Sequence, residues 1–348
     1  MSPTLHSLTR AIAIAACTFA VATPSQAQRD RGDWRLYYDA DRDRIEINFS
    51  DFDVREWQVS RSFAADSRAL EGLTIRAIQG PTTNIQFRIR RDAGTFVMDG
   101  SVGNQRGRGS FGFNPNPGFA DELARRGYSR PSSEQQFQLA LHDVGFQFVD
   151  ELRKQGYERT SVSDLVRMGQ HGVNYDFVAG LASLGYKLRD TDDLVDMRDH
   201  GVTPGYITAL RSAGYTKLSA EKLVEMRDHG VTADFISGLR AAGYSKLDED
   251  DLIRIRDHGV NSTYISGMKS LGYNLDVEDL VRARDHGVTP SFIEGFQKLG
   301  YRNLTIEQVI RLRDHGVTAS YAERAADRMR GRPSISELIE ARDRGTRY

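Results

Sequence analysis

A His-Gly pair recurs at His171, His200, His229, His258, His286 and His315, so the spacings are 29, 29, 29, 28 and 29 residues. Gly-Tyr keeps the same beat at Tyr128, Tyr157, Tyr186, Tyr215, Tyr244, Tyr273 and Tyr301. Self-similarity at a fixed period of roughly 20–50 residues constrains a chain to a stacked array, because one unit cannot bury its apolar face alone. The single missing residue falls between Tyr273 and Asp276, where a loop absorbs a length change.

Each unit reads as two helices of about ten residues. The first opens on a capping side chain. Ser132/Gln135, Ser161/Asp164, Thr305/Gln308 and Ser334/Glu337 fit a capping box, while Asp190, Asp248 and Asp276 take the cap elsewhere. An apolar stripe such as Leu223, Val224 and Met226 follows, and His-Gly stops the element. The second helix starts at Thr203, Thr232, Asn261, Thr289 or Thr318, with Pro204 and Pro290 at the first helical position. It carries Phe148, Phe177, Tyr206, Phe235, Tyr264, Phe292 and Tyr321 in register and ends at Gly-Tyr. Helices this short are marginal alone in water, so neighbours must supply their stability. The expectation is an α-solenoid of about seven helix pairs over 114–348. Asn114–Tyr128 matches only a second helix and Ser334–Gly345 only a first, as end caps would.

The preceding stretch, 28–113, has period two. Ile45-x-Ile47-x-Phe49, Leu73-x-Ile75-x-Ala77 and Ile85-x-Phe87-x-Ile89 alternate as half-buried strands do. Gly94, Gly100 and the stretch Gly103–Gly112 read as turns. The pattern predicts a small antiparallel β domain of about six strands, with Trp34, Tyr38, Trp57 and Phe96 in its core. Phe52–Ser67 fits a strand or a helix equally. The fold class expected is therefore α+β and multidomain: a β domain, then a helical repeat domain.

Residues 1–27 read as a secretory signal peptide: Arg10, an apolar run Ala11–Ala22, and Ser25-Gln26-Ala27 as the cleavage site. The run is too short to span a bilayer. Ile14-Ala15-Ala16-Cys17 also looks like a bacterial lipobox, which would make the protein an outer-membrane lipoprotein; the apolar residues beyond Cys17 favour cleavage after Ala27. Either route exports the chain, to the periplasm or the medium. Cys17 is the sole cysteine, so the mature chain has no disulfide and no cysteine metal site.

Charge is balanced, 47 Lys+Arg against 48 Asp+Glu, which argues against nucleic acid as a partner. Seven of eight histidines occupy one repeat position: His142, His171, His200, His229, His258, His286 and His315. Stacked helices lie about 8–10 Å apart, whereas zinc ligands stand about 2.0–2.1 Å from the ion, so the histidines read as helix ends, each facing the negative end of the dipole or bonding a free carbonyl, and no metal is expected. The Arg-Asp pairs before them (Arg198-Asp199, Arg227-Asp228, Arg256-Asp257, Arg284-Asp285, Arg313-Asp314, Arg342-Asp343) read as an inter-repeat ladder, Arg of one unit meeting Asp of the next. Eleven residues after the histidine, Arg153, Arg211, Arg240 and Lys269 form a basic stripe, interrupted by Ala182 and Gln297, and are the candidate partner surface. Asp39-x-Asp41-x-Asp43 opens like a calcium loop but has Arg44 and Ser50 where glycine and glutamate are needed, so it reads as a hairpin turn. Gly103–Gly109 lacks the Gly-Lys-Ser/Thr ending of a phosphate loop and reads as a flexible hairpin loop. No catalytic signature and no cofactor motif stands out.

The unit D-L-V-x-M-R-D-H-G-V-T resembles repeats of exported or membrane-anchored bacterial proteins, including segments that follow the peptidase domain of BlaR-type sensors. The stretches Arg91–Phe96 and Phe111–Pro115 are similar to the β segment before such repeats. Neither transmembrane helices nor a zinc-peptidase motif accompany the likeness here, so peptidase activity is not implied. The expected function is a non-enzymatic protein-interaction scaffold of the bacterial cell envelope. The alternatives are a sensory or regulatory accessory of a membrane peptidase or resistance system, and a cell-wall hydrolase accessory.

Overall fold

The computed structural model describes residues 31–51, 58–158 and 160–348. The stretch read as a signal peptide, with Cys17, and Trp57 lie outside the described residues. Two compact units divide between Gly145 and Phe146.

The first unit is built on seven strands: β1 (Arg31–Asp39), β2 (Arg44–Asp51), β3 (Gln58–Ala64), β4 (Leu70–Glu71), β5 (Thr83–Arg91), β6 (Gly94–Gly103) and β7 (Arg106–Pro115). They form one antiparallel sheet in the order β3-β2-β1-β7-β6-β5-β4. Strict alternation sets the faces. Along β1, Trp34, Leu36 and Tyr38 are buried while Asp33, Arg35 and Tyr37 are exposed. Trp34, Tyr38 and Phe96 belong to the core, as expected, and the Trp34 indole N–H donates to the carbonyls of Asp99 and Ser110. The segment read as strand or helix is strand β3 from Gln58 onward.

Two local readings are corrected. Leu73-x-Ile75-x-Ala77 is not a strand: Thr74 caps the short helix α1 (Ile75–Gln79) by accepting from Ala77 N–H, and Leu73 and Ile78 go into the core. A cap at Thr74 outweighs two alternations. The glycine-rich stretch is not a loop either. Only Asn104 and Gln105 turn, both with positive φ (54° and 64°), while Gly107, Gly109 and Gly112 lie within β7 and Gly100 within β6. Gly100 and Gly109 face each other across the ladder, where a Cβ on Gly109 would fall 1.9 Å from the Asp99 carbonyl oxygen. Their glycines serve close strand approach, not flexibility.

Two helices complete this unit, α2 (Pro117–Arg125) and α3 (Ser133–Leu141). Phe137 of α3 packs against Phe96, Phe111 and Phe113, and buried Gln136 donates to the carbonyls of Ala93 and Asn116.

The second unit alternates second and first helices of the repeat: α4 (Phe146–Lys154), α5 (Val162–Gln170), α6 (Tyr175–Ser183), α7 (Thr191–Asp199), α8 (Pro204–Ser212), α9 (Ala220–Asp228), α10 (Ala233–Ala241), α11 (Glu249–Asp257), α12 (Ser262–Ser270), α13 (Val277–Asp285), α14 (Pro290–Lys298), α15 (Ile306–Asp314), α16 (Ala319–Met329) and α17 (Ile335–Asp343). All four capping boxes form, and the Thr, Asn and Asp caps hold where the sequence places them. Each first helix ends in a Schellman motif. In α7, His200 is the C-cap, Gly201 takes φ +70°, and the Val202 N–H reaches back to the Met197 carbonyl at 2.9 Å. Val202 and its equivalents Val231, Val260, Val288 and Val317 are at most 1% exposed, each worth about 1.5–3 kcal/mol of apolar burial.

Packing runs between helices two apart. The even-numbered α4 to α16 touch in succession, as do α5 with α7, α11 with α13, α13 with α15 and α15 with α17. One core cluster joins Phe296 of α14, Leu312 of α15, Tyr321 of α16 and Leu338 of α17. Helical Gly180 and Gly267 let consecutive second helices approach: a Cβ there would meet the rings of Pro204 and Pro290 at 2.6 and 2.7 Å. Among the described residues no helix is long and apolar enough to cross a membrane.

Candidate interaction surface of the repeat unit

The repeated polar residues form several sets of contacts, each reaching one unit onward. The first begins at the C-cap histidines. Nδ1 of His171, His200, His229, His258, His286 and His315 meets Asp199, Asp228, Asp257, Asp285, Asp314 and Asp343 of the following unit at 2.6–2.8 Å. The sequence places histidine at the helix end correctly, but its partner is a carboxylate and not a carbonyl. The rung from His258 to Asp285 holds at 2.6 Å although that unit is one residue short, so the deletion is taken up in the loop before α13.

Arginine takes a different place from the one expected. Arg198, Arg227, Arg256, Arg284, Arg313 and Arg342 lie over the rings of Phe177, Tyr206, Phe235, Tyr264, Phe292 and Tyr321 of the preceding second helix, 5.1–5.7 Å from their centroids. Both residues turn to the preceding unit, but about 100° apart around the helix, so Asp reaches the C-cap histidine of its first helix and Arg the aromatic ring of its second. The carboxylate goes to histidine, and the planar guanidinium covers the aromatic face, a contact worth about 0.5–1 kcal/mol at a half-exposed site.

The basic stripe is also drawn inward. Arg211 donates to the carbonyl of Leu184 and Lys269 to that of Ala242, both at 2.5 Å; Arg240 donates to Ala213. Each acceptor is the C-cap residue of the preceding second helix, where carbonyls lack helical partners and the dipole is negative. Gln297, where the stripe breaks in sequence, makes the same contact to Leu271 at 3.1 Å. Among the four stripe residues Arg153 alone is exposed without such a bond among the described residues.

The tyrosines of Gly-Tyr form a set that the sequence reading had only as helix stops. The hydroxyls of Tyr186, Tyr215, Tyr273 and Tyr301 donate to the carbonyls of Leu218, Leu247, Leu304 and Pro333 at 2.8–2.9 Å, and Tyr244 bonds Leu275. The recurrence of Leu or Pro two residues before α9, α11, α13, α15 and α17 was the available signal. Burial pushes the phenols of Tyr206 and Tyr264 up to about 12. Tyr206 donates to the Val231 carbonyl at 2.9 Å, whereas the Tyr264 hydroxyl has no partner among the described residues. Its unit is the shortened one.

His142, the first of the series, belongs to the sheet unit. Gln170 stands in sequence where later units carry aspartate, and His142 Nδ1 instead meets the Arg61 guanidinium at 2.5 Å, which also donates to the Leu141 carbonyl. Burial lowers the pKa of Arg61 and of neighbouring Arg91, whose charge is answered by Asp143 at 3.2 Å. The Asp39–Asp43 turn closes on itself: Asp39 accepts from the N–H groups of Asp41 and Arg42, and Asp43 accepts from the Tyr38 hydroxyl.

Chemically, this arrangement holds six of the seven repeat histidines against a carboxylate. Among the described residues no three His, Cys, Asp or Glu side chains converge as a metal site would require. The pKa of His200 is raised, first by its hydrogen bond to Asp228, which outweighs the opposing loss of hydration, and then by the charges of Asp228, Asp196 and Asp199. No known family model and no characterised protein matches the chain by sequence.

Proposed function

We propose that this chain is an exported, non-enzymatic scaffold of the bacterial cell envelope, whose repeats stack as an α-solenoid and dock a protein partner. The observation that carries the reading is the His-to-Asp contact made six times with the same atoms. Side chains that would suggest chemistry singly are used identically in every unit, which suits register and stacking. An array of this kind offers a long surface to a partner. Arg153 remains the member of the basic stripe placed to meet one. Cross-linking in living cells followed by mass spectrometry tests the proposal: the same envelope protein should be recovered repeatedly, and recovery of the chain alone would refute it. Small-angle scattering tests the solenoid, since a compact particle of the mature length has a radius of gyration near 20 Å, estimated as about 2.2·N^0.38, and a stacked array must exceed it.

A further inference from the structure

The outer face of the sheet, opposite the Trp34 core, carries a hollow of about 1040 Å³. Two rungs of opposite sign cross it. On one, Asp33 of β1, Ser110 of β7 and Asp99 of β6 stand side by side; on the next, Arg35 stands directly opposite Arg108. All four charged residues are exposed, and none makes an ion pair or side-chain hydrogen bond with a described residue. Like charges directly opposite on a sheet are destabilising, and among the described residues no ion pair answers the Arg35–Arg108 repulsion. The rungs lie about 7 Å apart along the strands, and Asp33 and Asp99 flank Ser110 from strands about 10 Å apart.

We propose that this face binds a short zwitterionic peptide by both its ends. The carboxylate bridges Arg35 and Arg108, and the ammonium sits over the Ser110 hydroxyl between Asp33 and Asp99. Guanidinium pairs favour carboxylate through paired N–H donors. A polyanion is opposed by the two aspartates, and a neutral glycan leaves the Arg35–Arg108 repulsion in place. Separation of the charges by two residues of strand selects a dipeptide over a free amino acid. The site is independent of the scaffold role of the repeats.

Titration of the full chain with diglycine, followed by calorimetry or by NMR, tests it, with free glycine, N-acetyl-diglycine, diglycine amide and maltotriose as comparisons. Saturable binding of diglycine is expected, weakened about tenfold or more by blocking either end, by Arg108→Gln or by Asp99→Asn, tenfold corresponding to the loss of one charge-assisted contact. Arg35→Gln should behave as Arg108→Gln does, and neither should lower the melting temperature of the sheet unit, because each removes a repulsion. Absence of diglycine binding, equal binding of the blocked forms, or binding of maltotriose in its place would overturn the proposal. So would a lowered melting temperature in both arginine variants.

Discussion

The two units solve the same burial problem over different distances along the chain. In the sheet unit Trp34 is held by a carbonyl 76 residues away, and the strand that begins the sheet pairs with the one that ends it. In the repeat unit the described His, Arg and Tyr contacts span 20 to 32 residues and stop at the next copy. A sheet closed by distant pairings should fail as a whole; a row of like units should fail where it is hurt.

The largest blow to that contrast falls on the sheet core. Phe96 is 1% exposed and touches Phe49, Phe111, Phe113 and Phe137, so Phe96→Ala should cost about 3–5 kcal/mol and lower amide-exchange protection across all the long strands together. Leu239→Ala, at a site equally buried in α10, should cost about 2–5 kcal/mol, yet its exchange change should stay within α8 to α12. Uniform loss over the helices would show that the two units do not differ in this way.

A smaller probe uses the close approach of second helices. Gly→Ala within a helix ordinarily stabilises by roughly 0.5–1 kcal/mol. At Gly267 the new methyl would lie 2.7 Å from the Pro290 ring, so Gly267→Ala should destabilise by about 1 kcal/mol in denaturant titration; a gain in stability would place the contact elsewhere. Arg227→Ala, which uncovers the Tyr206 ring, should cost only about 0.5–1 kcal/mol.

The gentlest test is pH. The folded-state pKa of His200 lies above its unfolded value, so its contribution is fully present below about 6.5 and fades as pH rises through the raised folded value. His200→Gln should therefore lose more stability at pH 6 than at pH 8, with NMR titration of the ring placing its pKa above 6.5. An equal loss at both values would remove the charge from the argument.

Local signals were legible in the sequence wherever the physics was local. Caps at Ser161 and Thr305, glycines after the histidines, and the period-two run of β2 depend on residues near one another, and each is found as read. Leu73–Ala77 misled because two alternations are a weak signal beside one capping threonine. Gly100 and Gly109 misled because their reason lies on the facing strand, which composition does not reveal. The partners of Arg and Asp required knowing how far each side chain rotates around its helix, and hence that histidine, not arginine, faces the carboxylate. The rungs on the outer face of the sheet were invisible until register joined β1, β7 and β6.

The unit that lacks one residue kept its histidine contact and left one phenol hydroxyl unanswered. Its tolerance has a consequence for how such a chain can change. Since none of the clasps described above reaches past the adjoining copy, gene duplication or loss of a whole module would present the survivors with the same joint they already make, and overall length becomes something selection can vary without redesigning any part.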